Sequence, residues 1–238
     1  MRLRWAAATD PGRIRGHNED ALWPQPGSGE TDEALLVAVA DGMGGHVGGE
    51  IASQTAIDTA SSVGGSAALR VQAANLAVLD EASQRPRLAG MGTTLTLAIV
   101  EPTGHVDVGH VGDSRAYLYR AGKLTKVTSD HSYVSEMMAA GRLTPEEAEN
   151  HPYRSVVTRA IGLEPSVEVD TAEVELRPGD RMLLCSDGVS AMLGDGDIAA
   201  ILAGAADPGQ AAQALVDAAN AAGGDDNITV VIVDAGPE

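Results

Sequence analysis

Phenylalanine is missing from these 238 residues, cysteine occurs once, and only 3% of the chain is aromatic. Without phenylalanine the core has to be assembled from Ala, Val, Leu, Ile and Met. The single Cys185 excludes an internal disulfide and any cysteine-rich zinc site. Its setting in the apolar run Met182-Leu-Leu-Cys185 marks a small core residue rather than a nucleophile. No apolar run approaches the length that spans a bilayer. The opening Met1 to Asp10 has too short an apolar stretch for a secretory signal. The chain is therefore expected to be soluble and cytoplasmic. Positive charge is scarce as well: 16 Lys and Arg stand against 34 Asp and Glu, a formal charge of −18. Such a field repels phosphate backbones and speaks against a general nucleic-acid binder.

The length suits one domain with a sizeable core. No internal repeat and no low-complexity linker divides it, so residues 1–238 read as a single domain without a sensor module. Short β-type runs cover Arg4 to Thr9 and Ala34 to Ala40. Helical stretches follow at Gly49 to Val63, with Ile51, Thr55 and Ile57/Asp58 around a mixed face, and at Ala67 to Gln84, where Leu69, Ala73, Leu76 and Leu79 fall near helical spacing. Thr93 to Val100 alternates as a strand with one buried face. His105 to Val111 alternates again, and Arg115 to Tyr119 and Leu124 to Val127 flank the turn Ala121-Gly122. Ser132 to Ser155 then turns polar and helical, with Thr144-Pro-Glu-Glu147 as a helix start, and reads as an inserted flap. Strands near Val167 to Val174 and Arg181 to Ser186, helices near Asp195 to Leu202 and Pro208 to Ala222, and a strand at Ile228 to Val233 complete the pattern. Strands in runs and helices in pairs, without βαβ alternation, predict an α+β fold of antiparallel sheets covered by helix pairs.

The surplus acid is not spread evenly. Asp41, Asp113 and Asp187 each end an apolar β-type run, and Asp226 begins one; Glu19 and Asp20 form a further acidic pair. The plainer reading of any one of them is an ordinary Asp-Gly turn. Taken together, carboxylates at the ends of neighbouring strands can converge on one rim of a sheet, where unpaired they would repel and their pKa values would rise. A divalent cation resolves that repulsion, and all-oxygen ligation favours Mg²⁺ or Mn²⁺ over Zn²⁺. Spacing alone goes no further than a hard-cation site of unspecified reaction.

Ordered along the chain stand Arg15-Gly-His-Asn-Glu-Asp20, Asp41-Gly-Met-Gly-Gly-His46, Gly92-Thr-Thr-Leu95, His110-Val-Gly-Asp-Ser-Arg115, Ser129-Asp-His-Ser132, Thr158-Arg-Ala-Ile-Gly162, Cys185-Ser-Asp-Gly188 and Asp226-Asn-Ile-Thr229. In this order the segments resemble the motifs of bacterial type 2C (PPM family) metal-dependent serine/threonine protein phosphatases, from about Thr9 to Val233. The resemblance implies a four-layer αββα sandwich and a binuclear Mn²⁺ or Mg²⁺ centre, with a third ion as a further option. It implies that Asp41 bridges two ions and the Gly42 carbonyl binds the second, while Asp187 and Asp226 complete the first. Glu19 and Asp20 would act through metal-bound water, and Asp113 with Asp187 would hold the third ion. Arg15 matches the arginine that grips the substrate phosphate, offering planar paired donors; its plainer alternative is a surface salt bridge with Glu19 or Asp20.

Where eukaryotic members carry a histidine after the Asp-Gly pair, this chain has Met43, which cannot donate a proton. His46 is then the nearest candidate to contact substrate, with metal-bound water as the rival acid. His110 and His131 are read as structural hydrogen-bonders. Met137, Met138 and Arg142 place an adaptable surface on the flap, unless the methionines only pack it down. The expected reaction is hydrolysis of phosphoserine and phosphothreonine by a metal-activated water, in a monomer whose partners are phosphorylated proteins, including a serine/threonine kinase and its substrates. Two other readings stay open: a catalytically silent phosphoprotein-binding module of the same fold, and a phosphatase of small phosphorylated metabolites.

Overall fold

The computed structural model describes residues 1–44 and 47–237. The chain opens with β1 (Leu3–Asp10), β2 (Asp20–Trp23), β3 (Gly27–Thr31) and β4 (Leu35–Met43), then enters α1 (Val47–Ser62) and α2 (Ala67–Gln84). A β-run follows: β5 (Gly92–Thr93), β6 (Leu95–Val100), β7 (His105–Val111), β8 (Arg115–Arg120) and β9 (Lys123–Lys126). The flap contributes α3 (Tyr133–Ala139) and α4 (Pro145–Glu149). The chain then forms β10 (Asp170–Glu175), β11 (Arg181–Cys185), α5 (Asp187–Ser190), α6 (Asp195–Gly204), α7 (Pro208–Ala221) and β12 (Ile228–Ala235).

The strands pair antiparallel into two sheets, in the orders β3-β1-β12-β11-β8-β9 and β10-β7-β6-β4-β2, with the short β5 beside β4. Period-two alternation assigns each strand's residues to two different cores. On β4, Leu35, Val37 and Val39 point between the sheets, while Ala38 and Ala40 point to α1 and α2. On β12, Val231 and Val233 fill the inter-sheet layer, and Ile228, Val230 and Ile232 pack under α6 and α7. The result is the expected αββα sandwich. No helix among the described residues is long and apolar enough to cross a membrane.

Some local expectations are corrected. Strands β2 and β3 were not legible as separate elements. The strand read as having one buried face, β6, is covered on both: Ala98 and Val100 face the other sheet, Leu95 and Leu97 the helices. Helix α2 buries Ala67, Val71, Ala74 and Val78, whereas Leu69 and Leu76 are 57% and 58% exposed. The helix lies too close to the sheet for leucine: a Cβ on Gly109 of β7 would stand 2.9 Å from the Ala67 carbonyl carbon. Helix α1 shows the same preference, burying Ala52, Ala56, Ile57 and Ala60 while Asp58 faces solvent. Small side chains and short interlayer distances thus replace the missing phenylalanines.

The flap lies between β9 and β10. Its helix α4 starts as expected, Thr144 and Glu147 forming a reciprocal capping box with Pro145 in the first turn. Helix α3 has no buried residue and α4 only Ala148, so little apolar burial holds the flap down.

Candidate metal centre

The two sheets deliver acids to the same end of the sandwich. Asp20 opens β2 and stands opposite Asp41 of β4 in the register of the second sheet. Asp113 follows β7. From the first sheet come Asp187, the opening residue of α5 just past β11, and Asp226, two residues before β12. A cleft of about 410 Å³ is lined by Arg15, Glu19, Asp41, Asp113, Asp187 and Asp226, with Gly42 and Met43 beside them. Asp20 lies behind this lining, where Ser186 Oγ donates to its Oδ2 at 2.8 Å.

Burial and the mutual repulsion of the acids govern the electrostatics. Asp20 and Asp187 are half-buried as whole residues, yet the Oδ1 of each is enclosed and has no hydrogen-bond partner. Burial pushes the Asp20 carboxyl up to about 7; hydrogen bonds from Thr229 and Ser186 oppose the shift, and the charges of Asp187 and Asp226 add to it. Asp41 is raised well above the carboxylate range by burial and then by Asp20, Asp187, Asp113 and Asp226. Burial likewise lifts Asp113 to about 7, helped by Asp187 and Asp130. Asp187 is raised by burial and by Asp226, against a hydrogen bond shared with Asp41.

Among the described residues no three such side chains already stand as a tight ligand cluster. Asp226 is turned onto Arg15, whose Nη2 donates to Asp226 Oδ2 at 2.6 Å. That pairing also replaces the expected alternative of Arg15 with Glu19 or Asp20. The missing cluster and the enclosed acids point opposite ways, and the acids decide. Turning an exposed Arg15–Asp226 pair costs little, whereas leaving several carboxylates buried and unpaired costs several kcal/mol by rough count. The donor set, all oxygen and acidic, fits a hard divalent cation.

Four residues around the cleft carry roles that the sequence reading did not assign. Asn227 donates from Nδ2 to the carbonyls of Pro11 (3.0 Å) and His17 (2.9 Å), and its Oδ1 accepts the Glu19 N–H at 2.8 Å, fixing the loop that carries Arg15 and Glu19. Thr94 Oγ1 accepts the Asp41 N–H at 2.9 Å. Ser186 holds Asp20, as above. Gly49 brings the first turn of α1 onto the site: a Cβ there would fall 1.9 Å from Glu19 Oε2, and one on Gly42 would fall 2.1 Å from the Gly49 carbonyl oxygen. The close approach at Gly42 is therefore by α1 backbone. A polar residue directly before the mostly apolar run of β12 was the available signal for Asn227, and Gly48-Gly49 at a helix start was the signal for Gly49.

The remaining candidates separate. His46 lies outside the described residues. His110 bonds Thr96 Oγ1 at 2.8 Å and the Ser129 carbonyl at 3.0 Å, buried and with its pKa lowered to about 4 chiefly by burial. Cys185 is fully buried, and burial pushes its thiol up to about 12, as suits a core residue. A second cleft of about 610 Å³ runs from Asp113 and Asp187 between flap and body, lined by Met138, Met192, Leu193 and Arg154. Met137 and Arg142 line neither cleft.

Comparison with known proteins places this geometry. The sequence model described as Protein phosphatase 2C matches residues 16–214. Serine/threonine protein phosphatase PstP of Mycobacterium tuberculosis is 41% identical over 242 residues, covering 98% of this chain and 45% of that protein. The chain thus spans about half the length of that relative. Serine/threonine phosphatase stp of Listeria welshimeri is 39% identical, covering 95% of this chain and 93% of that one. Among solved structures, the catalytic domain of PstP in complex with two manganese ions superposes with a TM-score of 0.85 at 37% identity, covering 98% of this chain and 99% of that one.

Proposed function

This chain belongs to the protein phosphatase 2C family, and on that premise we propose that it hydrolyses phosphoserine and phosphothreonine on proteins, using Mn²⁺ or Mg²⁺. The observation that carries the proposal is the set of enclosed acids, drawn from both sheets, that gather at one cleft beside the guanidinium of Arg15. Asp41, Asp187, Asp226 and the Gly42 carbonyl would hold the ions, Asp113 with Asp187 would hold a further one, and Glu19 and Asp20 would act through bound water. Such ions, when bound, make a nucleophilic water available near neutral pH.

The chain's own groups do the rest. Arg15, more than half exposed at the mouth of the cleft, is free to exchange Asp226 for a phosphate and to offer it two parallel donors. Asn227 and Thr94 hold the loop of Arg15 and the strand of Asp41 in place, so little reorganisation is left for the reaction. Met43 lines the cleft without a transferable proton, and His46 is retained as a substrate contact. The second cleft, opening from Asp113 and Asp187, supports a polypeptide substrate over a small metabolite, because it offers room for residues flanking the phosphorylated one. The same proposal treats residues 1–238 as one catalytic domain with a flap at roughly 132–155, acting as a cytoplasmic monomer on phosphoproteins that include a kinase and its targets.

The test sets phosphothreonine and phosphotyrosine peptides side by side. Turnover of the phosphothreonine peptide should stop with chelator and return with Mn²⁺. Undiminished turnover in chelator, or hydrolysis of phosphotyrosine alone, would overturn the proposal.

A further inference from the structure

The loop carrying Asp113 is gripped from behind by the base of the flap. His131, 7% exposed, directly precedes Ser132, whose side chain caps α3. Its main-chain N–H donates to the Gly112 carbonyl at 2.7 Å, and its ring Nδ1 accepts the Gly112 N–H at 3.0 Å. Both polar groups of Gly112 are thus taken by one residue, immediately before Asp113. A main-chain N–H can only donate, so Nδ1 is bare and the neutral ring carries its proton on Nε2. Nε2 lies 3.2 Å from Asp170 Oδ2 at the start of β10. Arg159 Nη1 lies 2.7 Å from the other oxygen of Asp170 and 3.0 Å from Nε2, so two donors converge on one carboxylate.

The opposite wall is equally close. Gly112 has φ +114°, and a Cβ there would stand 2.5 Å from Cβ of Thr94, the residue that holds the Asp41 N–H. His131 is also tied to the far end of the flap. The Thr158 N–H donates to its carbonyl at 2.8 Å, and Ser132 bridges Val157. Both ends of the flap and the Asp113 loop therefore meet at this one residue, its main chain holding the flap ends and its ring holding the Gly112 N–H.

We propose that His131, oriented by Asp170 and Arg159, is a positioning residue for Asp113 and couples the seating of the flap to the hold of Asp113 on a cation. This rests on the metal-dependent reading above. Hydrogen-bonded groups behind a metal ligand set its orientation, and their loss commonly lowers metal affinity by about 10- to 100-fold.

Mn²⁺ titration by calorimetry and steady-state kinetics on a phosphothreonine peptide would be run on wild type, His131→Leu, His131→Asn and Asp170→Asn. Asparagine can place its amide oxygen near the Nδ1 position and accept the Gly112 N–H. We expect His131→Leu to weaken the weakest Mn²⁺ site by about tenfold or more and to lower kcat with little change in KM. His131→Asn should recover most of both, and Asp170→Asn should fall between. If His131→Leu does not fold, His131→Asn and Asp170→Asn carry the test. Folded variants with wild-type Mn²⁺ affinity and kcat would overturn the proposal while leaving the metal reading intact. Failure of His131→Asn to improve on His131→Leu would do the same. A wild type that binds no Mn²⁺ would overturn both.

Discussion

Acids gather at both ends of β11 and β12, and the two ends treat them in opposite ways. At one end Arg181 grips Asp234 through Nε at 2.5 Å and Nη2 at 2.8 Å, and Arg120 grips Asp180 through Nη2 at 2.6 Å. At the other end Asp20, Asp41, Asp113 and Asp187 crowd together without an arginine each, and all four carboxyls are pushed upward. An arginine-paired acid is complete within the chain and serves the fold. A buried acid lacking such a partner strains the fold, and the strain is relieved only by a proton or by a cation from outside. The paired acids belong to the first sheet alone, whereas the unpaired ones are delivered to the opposite end by both sheets.

Removing one charge at each end should break the symmetry most sharply. Asp41→Asn should lower kcat by on the order of 10³-fold, while its melting temperature in chelator stays level or rises, because a repelling charge has gone. Steady-state kinetics and thermal melts check both halves, and a large drop in stability would show that the cleft acids are structural. At the paired end, Arg181→Ala leaves Asp234 buried and short of its main partner. Urea unfolding should show a loss of about 3 kcal/mol, with kcat unchanged at a temperature where the variant is folded.

The smallest effect concerns pH. In the folded chain burial pushes the Asp20 and Asp113 carboxyls up to about 7, well above the ordinary carboxylate range. In chelator their protonation contributes stability that is fully present below about pH 4 and is lost as pH rises through about 7. Mn²⁺ needs the deprotonated forms. The gap in melting temperature between Mn²⁺-loaded and chelated protein should therefore widen from about pH 5.5 to about 7.5. Differential scanning fluorimetry at fixed Mn²⁺ reads it, and a gap that narrows with pH would contradict the assignment of these acids.

Long periodic elements and the acids themselves were legible in the sequence. Helix α2 was expected at Ala67 to Gln84 and lies there, yet its buried face was misread because leucine was assumed to point inward. The closeness of Gly109 reverses that preference, and closeness is a property of two distant segments. Strands β2 and β3 escaped notice because they span only four and five residues, and β3 contains Gly27 and Gly29. At the site, aspartates at strand ends announced themselves, since the end of an apolar run is a local signal. His131 was legible as a structural hydrogen-bonder but its partner was not, and Asn227 and Gly49 gave no role at all, because each acts on a segment distant in sequence. His131 reaches Gly112 across 19 positions, and Asn227 reaches Glu19 across 208.

The pairing of β1 with β12 has a consequence in time. These strands come from opposite ends of the sequence, run register to register from Leu3 with Ala235 to Asp10 with Ile228, and sit side by side in the first sheet. During synthesis β1 soon gains β3 on one side, but β12 on its other side is still unmade, and Asn227, which ties down the Arg15 loop, is made only just before β12. Arg15, Asp41 and Asp113 are thus all translated before the cleft can close around them. A nascent or truncated chain lacking β12 holds most of the acids without the strand and the Asn227 ties that gather them into one cleft.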